Sequence, residues 1–144
     1  VSLQKIVVGI DDSPGSCAAV EWVVELAAAL GAIVIAVHAF EPLGHLDEVE
    51  PGTAFADVRD LIEQRLRTEW CRPLSEAQVD VETVIKEGRP ADVIIAVARE
   101  VDADLIVLGA RRMGWLRELT LGSTSHRVLY EAHRPVTVIH SNEE

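Results

Sequence analysis

The stretch Leu105-Ile106-Val107-Leu108-Gly109-Ala110-Arg111-Arg112-Met113-Gly114-Trp115-Leu116-Arg117-Glu118-Leu119-Thr120-Leu121-Gly122-Ser123-Thr124-Ser125 decides the reading of the fold. Its first four residues are apolar and read as a strand buried on both faces. A glycine-bearing loop follows, then small hydroxyl residues, then a helix-like run that begins near Ser123. Glycines let main-chain N–H groups come close to an anion, and a helix start adds a partial positive charge. Strand, loop and helix in that order predict a backbone cradle for the phosphate of a small anionic molecule.

Outward from this stretch, strand-like and helix-like runs alternate along the whole chain. Ile6-Val7-Val8-Gly9-Ile10 is a continuous apolar run, stopped by Asp11-Asp12-Ser13-Pro14. Ser13 is placed to cap a helix that has Pro14 in its first position. Ala18, Ala19, Trp22, Val23, Leu26 and Leu30 follow at helical spacing, and Gly31 closes the helix. Ile33 to Ala39 reads as a second buried strand. Residues 41–52, with Pro42, Gly44, Pro51, Gly52 and the acids Glu41, Asp47, Glu48 and Glu50, read as a loop. Phe55, Val58, Ile62, Leu66 and Trp70 mark a second helix, with Leu61 on the same side. Val79 to Ile85 alternates like an edge strand, and Gly88-Arg89-Pro90 opens a third helix with Val93, Ile94 and Val97 inward. Asp104 to Leu108 is a fourth strand. The last helix carries Val128 and Leu129, and Pro135 to Ile139 is the last strand. This alternation predicts an α/β domain with a parallel sheet and helices on both faces.

Composition narrows the functional classes. A chain of 144 residues, 49% hydrophobic, predicts one domain with a core that needs no staples. With 13 Lys+Arg against 24 Asp+Glu, the net charge is -11, which argues against a basic footprint for nucleic acid. Yet Arg111, Arg112, Arg117 and Arg127 fall between Gly109 and Arg127 with Glu118 as their one acid, a cationic island. Its plain alternative is a solvated basic loop. Cys17 and Cys71 are far apart and read as buried thiols, fitting a reducing, cytoplasmic setting. Val1 to Lys5 runs straight into a strand, and no apolar run reaches the ~18 residues of a membrane span. The expectation is a soluble cytoplasmic protein without membrane contact.

In an open parallel sheet, ligands bind beyond the carboxyl ends of the strands, where strand order reverses. Two strand ends carry suitable chemistry: Ile10-Asp11-Asp12-Ser13 and the run from Gly109. Asp11 has two readings, a ligand for a ribose hydroxyl or Mg²⁺, or a helix-start acid that bonds backbone amides. Catalytic signatures are missing. Gly109 to Gly114 has the first spacing of a Walker loop, but Trp115-Leu116 stand where Lys and Ser/Thr are needed. There is no Gly-x-Ser-x-Gly elbow. His38, His45, His126, His133 and His140 show no metal-ligand spacing. His126 and Tyr130, one helical turn apart, read as a packing pair. Trp22 and Trp70 read as core residues, and Trp115 as a local packing residue.

Taken together, Ile6 to Ser13, Val37-His38-Ala39, Glu87-Gly88-Arg89-Pro90-Ala91, Ala103 to Gly109, Gly122-Ser123-Thr124-Ser125 and His133 to Ile139 resemble the universal stress protein family. The resemblance spans nearly the whole chain. It implies a three-layer, Rossmann-like α/β sandwich with a five-stranded parallel sheet of order 3-2-1-4-5. It also implies homodimers paired through the last strand. The ATP-binding branch of that family carries Gly-x-x-Gly, nine residues, then Gly-Ser or Gly-Thr. Gly109 matches the first glycine and Gly122-Ser123 the end, while Arg112 stands where the second glycine belongs. Gly114, two residues on, supplies some of the lost freedom. Asp12 stands where family members often have glycine.

The resemblance thus implies ATP, with or without Mg²⁺, as the ligand. Adenine would lie near Ala39 and Asp11, with Gly109, Arg112, Gly114, Gly122, Ser123 and Thr124 on the phosphate side. If position 112 needs a positive φ, an arginine there costs on the order of 1 kcal/mol or more. Its guanidinium then either fills the phosphate pocket or bonds the phosphates as a planar fork. Ser123 and Thr124 also suit the capping of the last helix. Two functions stay open: a nucleotide-binding stress or regulatory protein with at most weak ATPase activity, or a nucleotide-independent dimer that acts through protein contacts with Arg112 closing the site.

Overall fold

Five apolar runs become the strands of one parallel sheet: β1 (Lys5–Gly9), β2 (Ile33–Phe40), β3 (Val81–Glu87), β4 (Leu105–Gly109) and β5 (Val136–Ile139). The structure is a computed structural model that describes residues 2–41, 50–52, 54–112, 119–120 and 122–141. The side chains of residues 55, 111–112 and 119–120 lie outside that description. Strand order is 3-2-1-4-5 and every pairing in the sheet is parallel, as the resemblance implies. Val7 of β1 pairs with Ile35 of β2 on one side and Ile106 of β4 on the other. β3 forms one edge, two residues later in the chain than its alternation predicts, and β5 forms the other.

Because side chains alternate across a strand, each face of the sheet takes every second residue. Ile6, Val8, Val34, Ala36, Phe40, Leu105 and Val107 face one way, and Val7, Ile35, Val37, Ile106 and Leu108 the other. The first face is covered by α1 (Pro14–Leu30), by α2 (Phe55–Arg65) with its π-helical extension Leu66–Trp70, and by α3 (Arg72–Glu76). The second is covered by α4 (Pro90–Val101) and α5 (Ser123–Glu131). Both faces are dry, which is why the strands read as unbroken apolar runs.

α1 begins and ends as its sequence dictates. Ser13 caps it by accepting the N–H of Ser16, Pro14 takes the first turn, and Gly31 ends it in the left-handed conformation at φ 64°. Its buried line differs from the expected one. Gly15, Ala19, Val23 and Ala27 face the sheet, flanked by Ser16 and Val20. Trp22 keeps 36% of its surface exposed and Leu30 51%, so neither is a core residue. The reason is space: α1 lies so close to β4 that only small side chains fit between them. A Cβ on Gly15 would overlap the Ala110 carbonyl, and one on Gly109 would overlap the Gly15 carbonyl group. Cys17, expected to be buried, is likewise exposed.

In α2 the residues Val58, Ile62, Leu66 and Trp70 are buried as expected, while Leu61 is exposed. A strict four-residue spacing drifts by about 40° per step around an α-helix. The wider turn Leu66–Trp70 takes up this drift and returns Trp70 to the buried line. Of the expected loop 41–52, residues 42–49 lie outside the described residues.

Asp104 locks the entry to β4 onto β1. Its carboxylate accepts the backbone N–H of Gln4 at 2.9 Å and of Lys5 at 3.0 Å, and its own N–H donates to the Lys5 carbonyl at 2.9 Å. The two backbone hydrogen bonds, from Lys5 and then Gln4, hold the carboxyl below the usual carboxylate range. A group bound more tightly when ionised stabilises the fold above its unfolded value of about 3.9, and loses that share as pH falls through the lowered folded value. Wild-type melting temperature should therefore drop more steeply between pH 7 and pH 3 than that of Asp104→Asn, with the variant less stable at pH 7; parallel pH profiles would remove this role. In urea denaturation, Gly15→Ala or Gly109→Ala should cost about 1–3 kcal/mol through overpacking, because the atoms in the way are backbone.

Candidate functional site

The order of the sheet reverses between β1 and β4, and a cleft of about 720 Å³ opens there beyond the carboxyl ends of the strands. Its floor is made by Gly9 and Ile10 from the end of β1, Val37 to Ala39 from β2, and Leu108 to Ala110 from β4. Two helix starts border it, residues 13–16 of α1 and residues 122–125 of α5. Pro90 and Ile94 of α4 complete an apolar wall with Val37, Ala39 and Leu108.

The start of α1 is satisfied from within the chain. Asp11 accepts the N–H of Ser13 on Oδ1 at 2.8 Å, and Ser13 Oγ accepts the N–H of Ser16 at 3.2 Å. Ser16 Oγ in turn accepts the N–H of Asp11 at 2.9 Å. Asp11 thus fulfils the helix-start reading of its carboxylate, and it also lines the cleft.

The start of α5 is built otherwise. Its N-cap is Gly122, at φ -66° and ψ 167°, and no side chain caps it. The capping role expected of Ser123 and Thr124 is therefore not theirs. They occupy the first two helical positions, where N–H groups point out of the helix end. The backbone at Gly122 is ordinary extended chain, and a Cβ there would meet nothing within 4 Å among the described residues. Among the described residues, neither conformation nor packing calls for glycine at this position, and Gly122 lines the cleft.

The two glycines of the expected phosphate motif thus differ in kind. Gly109 is fixed by the close approach of α1, whereas Gly122 is crowded by none of the described residues.

Arg112 has its backbone in a two-residue strand paired antiparallel with Leu119. Among the described non-glycine residues, positive φ belongs to Gln78, Asp102 and His133, so the condition for backbone strain at Arg112 is not met. The Arg112 side chain, Gly114, Trp115 and Arg117 lie outside the described residues. Arg127, counted in the cationic island, faces elsewhere. It bonds Asp92 of α4 at 2.6 Å and Glu131 at 2.9 Å, and the hydrogen bond from Arg127 holds the Asp92 carboxyl below its usual range.

His38, which shows no metal-ligand spacing with the other histidines, is part of the cleft floor. It is buried, and its Nδ1 lies 2.7 Å from the Ile10 carbonyl oxygen. A carbonyl only accepts, so Nδ1 carries the proton. The imidazole rests against Trp70 with ring centroids 5.1 Å apart, and Arg65 stacks 4.9 Å over that indole. A polar residue inside the apolar run Ile33 to Phe40 was the available signal. Gly15, Ser16 and Ser125 also line the cleft, and nothing in their local spacing marked them.

Elsewhere, His126 and Tyr130 stack at 4.8 Å on the outer face of α5, far from catalytic geometry. Burial pushes the Cys71 thiol up to about 11, which makes it inert as a nucleophile. Among the described residues, no group of three or more His, Cys, Asp or Glu comes together as a metal site. Nor is any helix among them long and apolar enough to cross a membrane.

A model of the Universal stress protein family matches residues 2–140. A universal stress protein of Thermus aquaticus is 36% identical over 117 residues, covering 78% of this chain and 81% of the relative. The solved universal stress protein from Archaeoglobus fulgidus in complex with dAMP is 25% identical with a TM-score of 0.68, over 96% of this chain and 99% of that one. A universal stress protein solved in complex with cAMP is 26% identical with a TM-score of 0.64, over 99% and 100%.

Replacing His38 by Phe should leave the Ile10 carbonyl without its buried donor and cost about 1–3 kcal/mol. Urea denaturation measures this, and a variant as stable as wild type would show that the bond contributes nothing.

Proposed function

This chain belongs to the universal stress protein family, and on that premise we propose that it binds an adenine nucleotide in the cleft at the carboxyl ends of β1 and β4. The observation that carries this reading is the start of α5. A helix end at the cleft, capped by no described side chain and preceded by a glycine that no described contact requires, suits a phosphate group. The N–H groups and hydroxyls of Ser123 and Thr124 would hold that phosphate, with Gly122 giving it room and Gly109 on the same side of the cleft. The apolar wall with Ala39 would take the adenine, and Asp11 would line the ribose side. Arg112 and Gly114 belong to the phosphate side of the same reading.

ATP is the nucleotide that the resemblance of Gly109 and Gly122-Ser123 to the motif of the family's ATP-binding branch implies. Two solved relatives hold dAMP and cAMP. In this reading the chain acts as one domain, pairs the edge strand β5 with its copy in a second chain, and passes its nucleotide state to protein partners in a stress response. At most weak ATPase activity belongs to this reading, and no catalytic residue is assigned.

Thermal unfolding with and without nucleotide tests the reading. A ligand at 100 times its dissociation constant stabilises the native state by about 2.7 kcal/mol, a readable rise in melting temperature. AMP, cAMP or ATP should raise it for the wild type. Gly122→Asp should keep the free protein at least as stable, because aspartate is a good N-cap, yet abolish the nucleotide shift by filling the phosphate space with a carboxylate. No shift with any adenine nucleotide would favour action through protein contacts alone.

A further inference from the structure

A narrow line of side chains holds α5 in place. Ser125 and Val128 are its buried residues, while Leu129 and Tyr130 stay exposed. Yet the first turn of α5 borders the cleft, and the apolar wall of that cleft includes Pro90 and Ile94 of α4. Asp92 lies between those two wall residues in the chain, in the first turn of α4. Its carboxylate accepts a 2.6 Å hydrogen bond from Arg127, one helical turn beyond Ser123. The same guanidinium reaches Glu131 at 2.9 Å, but that bond closes within α5 and ties it to no other element. Among the described side chains, the pair of Arg127 and Asp92 thus joins the helix on the phosphate side to the helix of the wall.

We propose that Arg127 and Asp92 are positioning residues of the cleft: their ion pair fixes the start of α5 against α4, and so sets the spacing between the phosphate position and the adenine wall. The proposal rests on the adenine-nucleotide reading above and adds to it two residues that do not line the cleft. A nucleotide engages both surfaces at once only where they stand at its own length. A site that must first be ordered loses affinity to that ordering, and a locked one does not. The Arg127 side chain is 40% exposed and that of Asp92 55%, and exposed pairs add little to global stability. The role of the pair therefore shows in ligand affinity rather than in melting. Charge alone predicts the opposite sign. Neutralising Asp92, which also feels Arg89, removes a negative charge near an anion site and favours a phosphate; loosening α5 disfavours it.

Isothermal titration with AMP tests this on the wild type, Asp92→Asn, Glu131→Gln, Arg127→Gln and the double variant Asp92→Asn/Arg127→Gln. Asp92→Asn should weaken AMP binding by about threefold or more, with a melting temperature close to that of the wild type. Glu131→Gln takes a carboxylate from the same arginine without parting the helices, and should leave AMP affinity within about twofold. The double variant should bind AMP no more weakly than Arg127→Gln alone, because the two residues act as one unit. Unchanged or tighter AMP binding in Asp92→Asn would overturn the proposal and leave the nucleotide reading intact. Equal weakening by Glu131→Gln, or additive losses in the double variant, would overturn it as well, since spacing would then not be what the pair controls. A wild type that binds no AMP would overturn the nucleotide reading and this proposal with it.

Discussion

The close approach of α1 to the end of β4 is the constraint on which the rest of the structure depends. Backbone meets backbone there: Gly15 against the Ala110 carbonyl, Gly109 against the Gly15 carbonyl. Neither position has room for a methyl group. This contact sets how deep α1 sits on the sheet, and hence why its buried line is Gly15, Ala19, Val23 and Ala27 rather than a row of large side chains. It also draws the start of α1 to the switch point between β1 and β4. The turn after β1 and the turn after β4 become two sides of one cleft.

Around that contact the backbone groups are accounted for one by one. The Ile10 N–H donates to the Val37 carbonyl, and the Ile10 carbonyl receives the His38 proton. The Ala110 N–H donates to the Ile139 carbonyl. Asp11, Ser13 and Ser16 close a ring of bonds at the start of α1. A buried polar group left unpaired is costly, so this ring and the His38 bond hold the floor of the cleft rigid before any ligand arrives. Against this background the start of α5, capped by no described side chain, is the exception, and the proposed function rests on it.

In the proposed reading, an acidic chain would hold an anion because backbone dipoles attract it at close range. Net charge describes the far field, whereas a phosphate at a helix start feels the nearest N–H groups. Within the cationic island, Arg127 is a warning about reading charge along a sequence. Arg127 lies four positions from Ser123 but turns outward to clamp α4 to α5 through Asp92. Helical geometry had already decided its direction, and its partner lies on an element reached only by folding.

Sequence alone determined the alternation of strands and helices, both ends of α1 through Ser13, Pro14 and Gly31, and the edge character of β3. It also marked most of the cleft: Asp11, Ala39, Gly109, Gly122, Ser123 and Thr124 all line it. The strand order came from the resemblance of the whole chain to its family and not from any one segment. These features are legible because capping, turn chemistry and side-chain periodicity act over a few neighbouring residues. Only tertiary structure decided that Trp22, Leu30, Leu61 and Cys17 face out, that His38 supports the Ile10 carbonyl, and that Gly109 serves packing while Gly122 leaves space. Each of these depends on how closely segments far apart in the chain approach one another, and that distance is a property of the packed whole.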